Sequence, residues 1–291
     1  MRQVLKFACI TLTLSLLFAV TISSSALAAD GRLFMVDGNT SHIVELDPDN
    51  GAVLNSFSTP YPSSEGPDGL AYCNGRMFFT ADHEGPDHLV ELIYEVNPDN
   101  GDVINSFPAP GDAIDALGLS CNRLFALDYE EADTIYVLNP DTGETIAVLD
   151  HEPPLVGGAT FAGTRNSLFI SGPADDSSTI YELNPETAAV INSFEVDIDT
   201  WGLGFSSSRN TLFIGEGGPL TIYEVDPDNG DVINSFSVGD AMVTALAADE
   251  CVCSTVGGDV YPVNKYNILV PWLALGVVLI IGSAILLRRR V

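Results

Sequence analysis

From Asp30 to Asn264 the chain contains no lysine, and its only arginines are Arg32, Arg76, Arg123, Arg165 and Arg209. All forty acidic residues of the protein fall in the same stretch, which leaves it with a formal charge of −35. A surface this negative repels nucleic acid and anionic lipid and attracts cations, so nucleic-acid partners are excluded for this part of the chain. Also missing between the two chain ends is any window with apolar residues at i, i+3, i+4 and i+7, so helices are not expected there. There is no G-x-S-x-G, no C-x-x-C and no glycine-rich phosphate loop, which removes the commonest signatures of nucleophilic, zinc-dependent and nucleotide-dependent catalysis.

What the chain has instead is one recurring phrase. It reads IVELDPDNGAVLNSF from Ile43, IYEVNPDNGDVINSF from Ile93, IYVLNPDTGETIAVL from Ile135, IYELNPETAAVINSF from Ile180 and IYEVDPDNGDVINSF from Ile222, with a truncated VYPVN from Val260. The second residues of these copies, Val44, Tyr94, Tyr136, Tyr181, Tyr223 and Tyr261, are 50, 42, 45, 42 and 38 positions apart. A period near forty marks a repeat architecture whose units bury their faces against one another.

Within one period the chain reads as four short strands, best seen at Gly69–Tyr72, Arg76–Ala81, Leu92–Val96 and Val103–Phe107. These are β-branched and aromatic runs bounded by Gly, Pro, Asn and Asp. The NPDNG-type link between third and fourth strands supplies a fixed φ at Pro and a positive φ at Gly, as a tight hairpin requires. Tyr94 and Val96 point to one face and Ile93 to the other, so both faces are apolar and each sheet is expected to lie between two others. Four-stranded units at this spacing resemble β-propellers of the NHL, YVTN and streptogramin-lyase-like group, over about residues 31–264. The resemblance implies an all-β propeller of four-stranded antiparallel blades. Six blades with an incomplete first and last are expected; in the five-bladed alternative the strand at Val243 closes onto the first unit.

The ends of the chain carry their own signals. Arg2 and Lys6, an apolar core from Phe7 to Ile22 and the small residues before Asp30 predict a signal peptide over 1–29. The apolar stretch Ile268–Leu287, followed by Arg288, Arg289 and Arg290, predicts one transmembrane helix within 265–291 with a basic cytoplasmic tail. The expected location is the cell membrane, single-pass, with 30–264 as an ectodomain outside the cytoplasm. Cys73, Cys121, Cys251 and Cys253 would then meet oxidising conditions, and four cysteines allow three pairings. The five arginines each precede a second strand (GRLF, GRMF, NRLF, TRNSLF, SRNTLF), which predicts a structural pairing with an acid of the same or the neighbouring unit.

Three groups of residues are candidates for chemistry. The turn acids, such as Asp47, Asp49 and Asn50, space oxygen ligands as a calcium loop does, but the turn itself calls for the same residues. The loops entering the inner strands, which face the channel mouth in a propeller, carry Glu65, Asp68, Asp112, Asp115, Asp197, Asp199 and Asp240. Converging carboxylates there would bind a ligand or hold a divalent cation such as calcium, with Asp68 and Asp115 as the metal pair. The segment GPDGLA is similar to a loop of SMP-30/gluconolactonase-like lactonases, which implies a channel metal held by Asp68 and Glu65. The insertion ADHEGPDH offers His83, Glu84, Asp87 and His88, but Gly85–Pro86 forbids the helix on which zinc-protease histidines sit. Trp201 is the only tryptophan between 30 and 264, unlike the tryptophan-rich repeats of quinone-dependent dehydrogenases. The reading is a membrane-tethered propeller that binds a protein or carbohydrate ligand or builds surface architecture, against the alternative of a metal-dependent hydrolase or lyase.

Overall fold

The computed structural model describes residues 31–59, 69–84, 89–111, 113–129, 134–153, 157–173, 177–217 and 220–251. They form five four-stranded antiparallel sheets, the blades of a propeller. The second blade is β4 (Leu70–Cys73), β5 (Arg76–Glu84), β6 (Leu89–Val96) and β7 (Val103–Pro108). The third is β8 (Ile114–Leu119), β9 (Leu124–Asp128), β10 (Thr134–Leu138) and β11 (Thr145–Asp150). The fourth is β12 (Ala159–Ala162), β13 (Ser167–Pro173), β14 (Ser178–Leu183) and β15 (Val190–Val196). The fifth is β16 (Thr200–Ser206), β17 (Thr211–Glu216), β18 (Thr221–Val225) and β19 (Val232–Ser237).

The first blade is assembled from both ends of the repeat region. It joins β1 (Leu33–Asp37), β2 (His42–Leu46) and β3 (Val53–Ser58) to β20 (Val243–Ala247). Phe34 pairs with Ala247 and Val36 with Ala245 along this junction. The blade count is therefore five, and the expectation of six is corrected. The strand at Val243 looks like the inner strand of a new unit, and it is one, but its partner is β1, two hundred residues earlier. Local pattern specifies a strand and not the strand it joins. Glu250 and Cys251, which follow β20, are not in a strand. The segment 25–29, the truncated copy at Val260, the signal peptide and the apolar segment Ile268–Leu287 lie outside the described residues.

Burial follows position in the blade. β1 and β9 are buried at every residue, as strands between two sheets must be, whereas β3, β11 and β19 are largely exposed. Phe34, Phe78, Phe125, Phe169 and Phe213, one per blade at the same place in the second strand, are 0% exposed. Each such ring contributes roughly 2–3 kcal/mol by leaving water. Around the axis the inner strands touch in the order β20, β4, β8, β12, β16 and back to β20. Gly158 and Gly202 permit that closeness: a Cβ there would come within 2.3 Å of Leu203 N and 2.7 Å of Leu246 N respectively.

The five arginines join each blade to the next. Arg32 binds Glu45 of its own blade through Nε and Nη2 at 2.6 and 2.8 Å, and Asp99 of the second blade through Nη1 at 2.9 Å. The same two-sided contact links Arg76 to Glu95 and Asp141, Arg165 to Glu182 and Asp228, and Arg209 to Glu224 and Asp49. The last of these closes the ring from fifth blade to first. The prediction of a structural pairing holds, with acids of both blades used at once. Arg32, Arg76, Arg123 and Arg165 also lie over the phenylalanine of their own second strand, 4.7 to 5.9 Å from the ring centre.

The joint between third and fourth blades is built differently. Val137 replaces the buried glutamate, so among the described residues Arg123 pairs only with the exposed Glu186. Ala147 stands where Asn55, Asn105, Asn192 and Asn234 donate to a turn carbonyl of the adjoining blade. At the other joints a turn glycine with φ of 71 to 79° (Gly51, Gly101, Gly143 and Gly230) lies against a phenylalanine of the preceding blade. Gly101, for example, would place a Cβ 2.5 Å from Phe57. At the odd joint the pair is Leu149 and Ala188, the latter at φ 54°. The smaller leucine leaves room for a methyl group.

Two measurements test this account. Arg209→Ala should cost about 3 kcal/mol in urea unfolding, because it leaves Glu224 buried and without its cation. Arg123→Ala should cost only about 1 kcal/mol; equal losses would show that the buried glutamate is not the source. Leu149→Phe should cost about 2 kcal/mol by overpacking Ala188. Adding Ala188→Gly should recover at least about 1 kcal/mol of that, and strictly additive effects would remove the proposed coupling.

Candidate functional site

The axis has two unlike ends. Pairing of Leu70 with Phe79, Leu117 with Ala126, Ala159 with Ile170, Leu203 with Ile214 and Leu246 with Met35 aligns the inner strands. Two residues earlier on four of these strands, at the mouth, stand Asp115, Gly157, Trp201 and Thr244; position 68 of the remaining strand lies outside the described residues. The described ladders skip three of these: Ile114 and Ala116 pair with consecutive residues of β9, Thr200 and Gly202 with consecutive residues of β17, and Val243 and Ala245 with consecutive residues of β1. Asp115, Trp201 and Thr244 are thus β-bulge residues, a device that re-aims a side chain out of the ladder.

Asp115 and Trp201 line a small depression on the axis with an empty volume of about 160 Å³, including its open side. Its floor is backbone and small side chains from all five blades, Gly69, Ala116, Gly158, Gly202 and Ala245 among them. Trp201 is 40% exposed, unusual for a residue of an inner strand. Its indole lies against Gly217, where a Cβ would come within 2.1 Å of Nε1, and Nε1 donates to Asp199 Oδ2 at 3.2 Å. Asp199, Asp197 and Asp240 are exposed.

Of the five residues expected to bind ligand, Asp115 lines the depression and Asp199 orients the tryptophan beside it. Glu65, Asp68 and Asp112 lie outside the described residues, and with Asp68 so does the expected metal pair. The histidine-bearing insertion extends the β5–β6 hairpin, Asp82 pairing with Glu91 and Glu84 with Leu89, while 85–88 lie outside the described residues. In the turns, Asp47 Oδ1 accepts from Asp49 N at 2.9 Å and Asp47 Oδ2 from Asn50 Nδ2 at 3.0 Å. Those oxygens serve the turn, as its geometry requires. Asp37, overlooked in the sequence, is buried and accepts from Thr40 Oγ1, Asn39 N and Met242 N, tying the loop into β20 to the end of β1.

The opposite end is closed by the residues that follow β20. Glu250 N donates to Tyr72 O at 3.2 Å, and Glu250 O accepts from Gly163 N at 2.7 Å and Ser207 Oγ at 2.8 Å. Glu250 Oε2 accepts from Leu119 N at 2.7 Å and Phe161 N at 3.5 Å. One residue therefore touches the second, third, fourth and fifth blades. Its side chain is fully buried, and Oε1 has no hydrogen-bond partner. Burial pushes the Glu250 carboxyl well above the usual carboxylate range, against the opposing pull of the amide donors. Burial also raises the neighbouring Asp249.

Cys251 is joined to Cys73 at the end of β4, across a sequence separation of 178. Closing so long a loop removes about 5 kcal/mol of unfolded-chain entropy in the chain-entropy account. The Cys121 sulfur lies within 4.8 Å of both. With the disulfide made, two of the three sulfurs are not thiolates, so the group is not a three-thiolate metal site. The sequence offered four cysteines and three possible pairings without choosing among them. Nothing in it singled out Glu250.

The fold and these two ends define the chain as a five-bladed β-propeller. No protein-family profile matches it, and no curated protein matches it. Solved structures do, at the level of fold. A chain of a nidogen/laminin complex has a TM-score of 0.50 at 12% identity, covering 76% of this chain and 100% of that one. The glutaminyl cyclase of Myxococcus xanthus has 0.46 at 12% identity, covering 67% and 76%. A functionally unknown protein from Desulfotomaculum acetoxidans DSM 771 has 0.45 at 11% identity, covering 76% and 99%. These likenesses concern the fold alone.

Glu250→Gln tests the closed end. A carboxyl raised in the folded state loses stabilisation as pH rises from the unfolded value of about 4.3 through the folded one. Glutamine imitates the neutral acid and does not titrate. The variant should therefore melt above the parent protein at pH 8, with the difference vanishing near pH 4. A variant that melts lower at pH 8 would show that Glu250 is held ionised.

Proposed function

We propose that this protein is an extracytoplasmic binding module, tethered to the cell membrane by one helix over Ile268–Leu287, that receives a ligand at the open mouth of its propeller. The observation that carries the reading is the departure from repetition at that mouth. Four of the five blade joints use the same arginine clamp, yet the described mouth positions are Asp115, Gly157, Trp201 and Thr244, three of them on bulges. An exposed tryptophan beside carboxylates is a recognition surface of moderate size, suited to a segment of a protein or a carbohydrate. The Cys73–Cys251 disulfide and the acid-rich surface support a place outside the cytoplasm. The apolar segment and its three following arginines support the tether.

The test uses the full-length protein in lipid nanodiscs on a mixed array of glycans and basic peptides. Binding should be abolished by Trp201→Ala and unaffected by Ile233→Ser on the exposed outer edge of the fifth blade. Ligands retained by Trp201→Ala would move the site elsewhere. Stoichiometric calcium in the purified protein, lost in Asp115→Asn together with a lactonase activity, would overturn the non-enzymatic reading.

A further inference from the structure

Resting on the reading of the mouth as the ligand-receiving surface, the charge distribution defines what it receives. We propose that the depression between Trp201 and Asp115 selects an organic cation, an ammonium or methylated ammonium head group carried by a small molecule or by a lysine side chain. Three observations converge on this chemistry.

The first is the tryptophan itself. One face of the indole is covered by Gly217 and its ring nitrogen is held by Asp199, so the ring is fixed in place and presents its remaining exposed surface at the mouth. A tryptophan face is the best of the aromatic partners for a cation. Donation from Nε1 to a carboxylate polarises the ring in the direction that strengthens such a contact.

The second is where the positive charge lies. Every arginine of residues 30–264 is committed to an acid at a blade joint. Those joints are at the closed end of the axis, where Arg32 lies 5.7 Å from the Tyr72 ring and Tyr72 O accepts from Glu250 N. Among the described residues the mouth has Asp115, Asp197, Asp199 and Asp240, and no lysine or arginine. Low-dielectric walls with charge of one sign concentrate the field in the depression and raise the local concentration of cations.

The third is size. The depression is shallow and open over a floor of glycine and alanine backbone, so a guest rests against the indole and Asp115 through one small group, and neither a sugar ring nor an extended peptide finds depth there. A bare metal ion would use the carboxylates but gain little from the indole, whereas an alkylammonium uses both.

The experiment is a fluorescence titration of the full-length Trp272→Phe protein in nanodiscs, in which Trp201 is the only indole. Choline and Nα-acetyl-lysine amide are compared with 3,3-dimethylbutan-1-ol, the uncharged carbon counterpart of choline. At least one cation should quench saturably, at least tenfold tighter than the neutral compound, and the affinity should fall at least fivefold in Asp115→Asn or, if that variant is poorly folded, Asp199→Asn. Preference for choline or for the lysine derivative assigns the source. Equal response to the neutral compound, or unchanged affinity in the aspartate variants, overturns the cation assignment. An array glycan lost in Trp201→Ala with no response to either cation would also overturn it while leaving the mouth as the binding surface. If no ligand depends on Trp201, both readings fall.

Discussion

The ring is held by a guanidinium with two acids to satisfy. At four of the five joints an arginine makes a forked contact with a nearly buried glutamate of its own blade and reaches an exposed aspartate in a turn of the next. The glutamate is tolerable inside the blade only because the planar fork supplies two donors in register. Lysine, a single charge on a flexible stem, cannot replace it. This accounts for a chain with five arginines and no lysine across its repeats. With so few cations, four of the five stand where an anion could not otherwise be buried.

The third-to-fourth joint shows that the clamp is one of two solutions. There Val137, Ala147, Leu149 and Ala188 replace the residues that elsewhere are glutamate, asparagine, phenylalanine and glycine. The four changes belong together. Without the glutamate there is no buried charge to neutralise, and with leucine in place of phenylalanine the turn tolerates alanine in a left-handed conformation. That conformation costs an alanine roughly 1–2 kcal/mol, which the turn glycines of the other joints avoid.

Placing all the arginines toward one end has a consequence for the other. The closed end is locked by Glu250, by its contacts to four blades and by the Cys73–Cys251 bond. The open end keeps carboxylates and one exposed tryptophan. Stability and recognition are thereby separated along the axis: rigid, repeated and charge-balanced at one end, irregular and negative at the other.

Much of this was legible in the chain before any fold was known. Repeat spacing, strand patterns and the NPDNG turns follow from local backbone preferences, and the arginine positions announced a structural pairing. The carboxylates around the mouth were also visible, because inner-strand entry loops are recognisable once a propeller is suspected. What sequence determined, then, is each blade's content, since strands and turns depend on residues near one another. Only the tertiary structure decided that Val243–Ala247 closes the first blade to give five, that Glu250 plugs the axis, that Cys251 reaches Cys73, and that bulges turn Asp115 and Trp201 toward one depression. Each of those facts joins residues far apart in the chain, and local propensity contains no information about such partners.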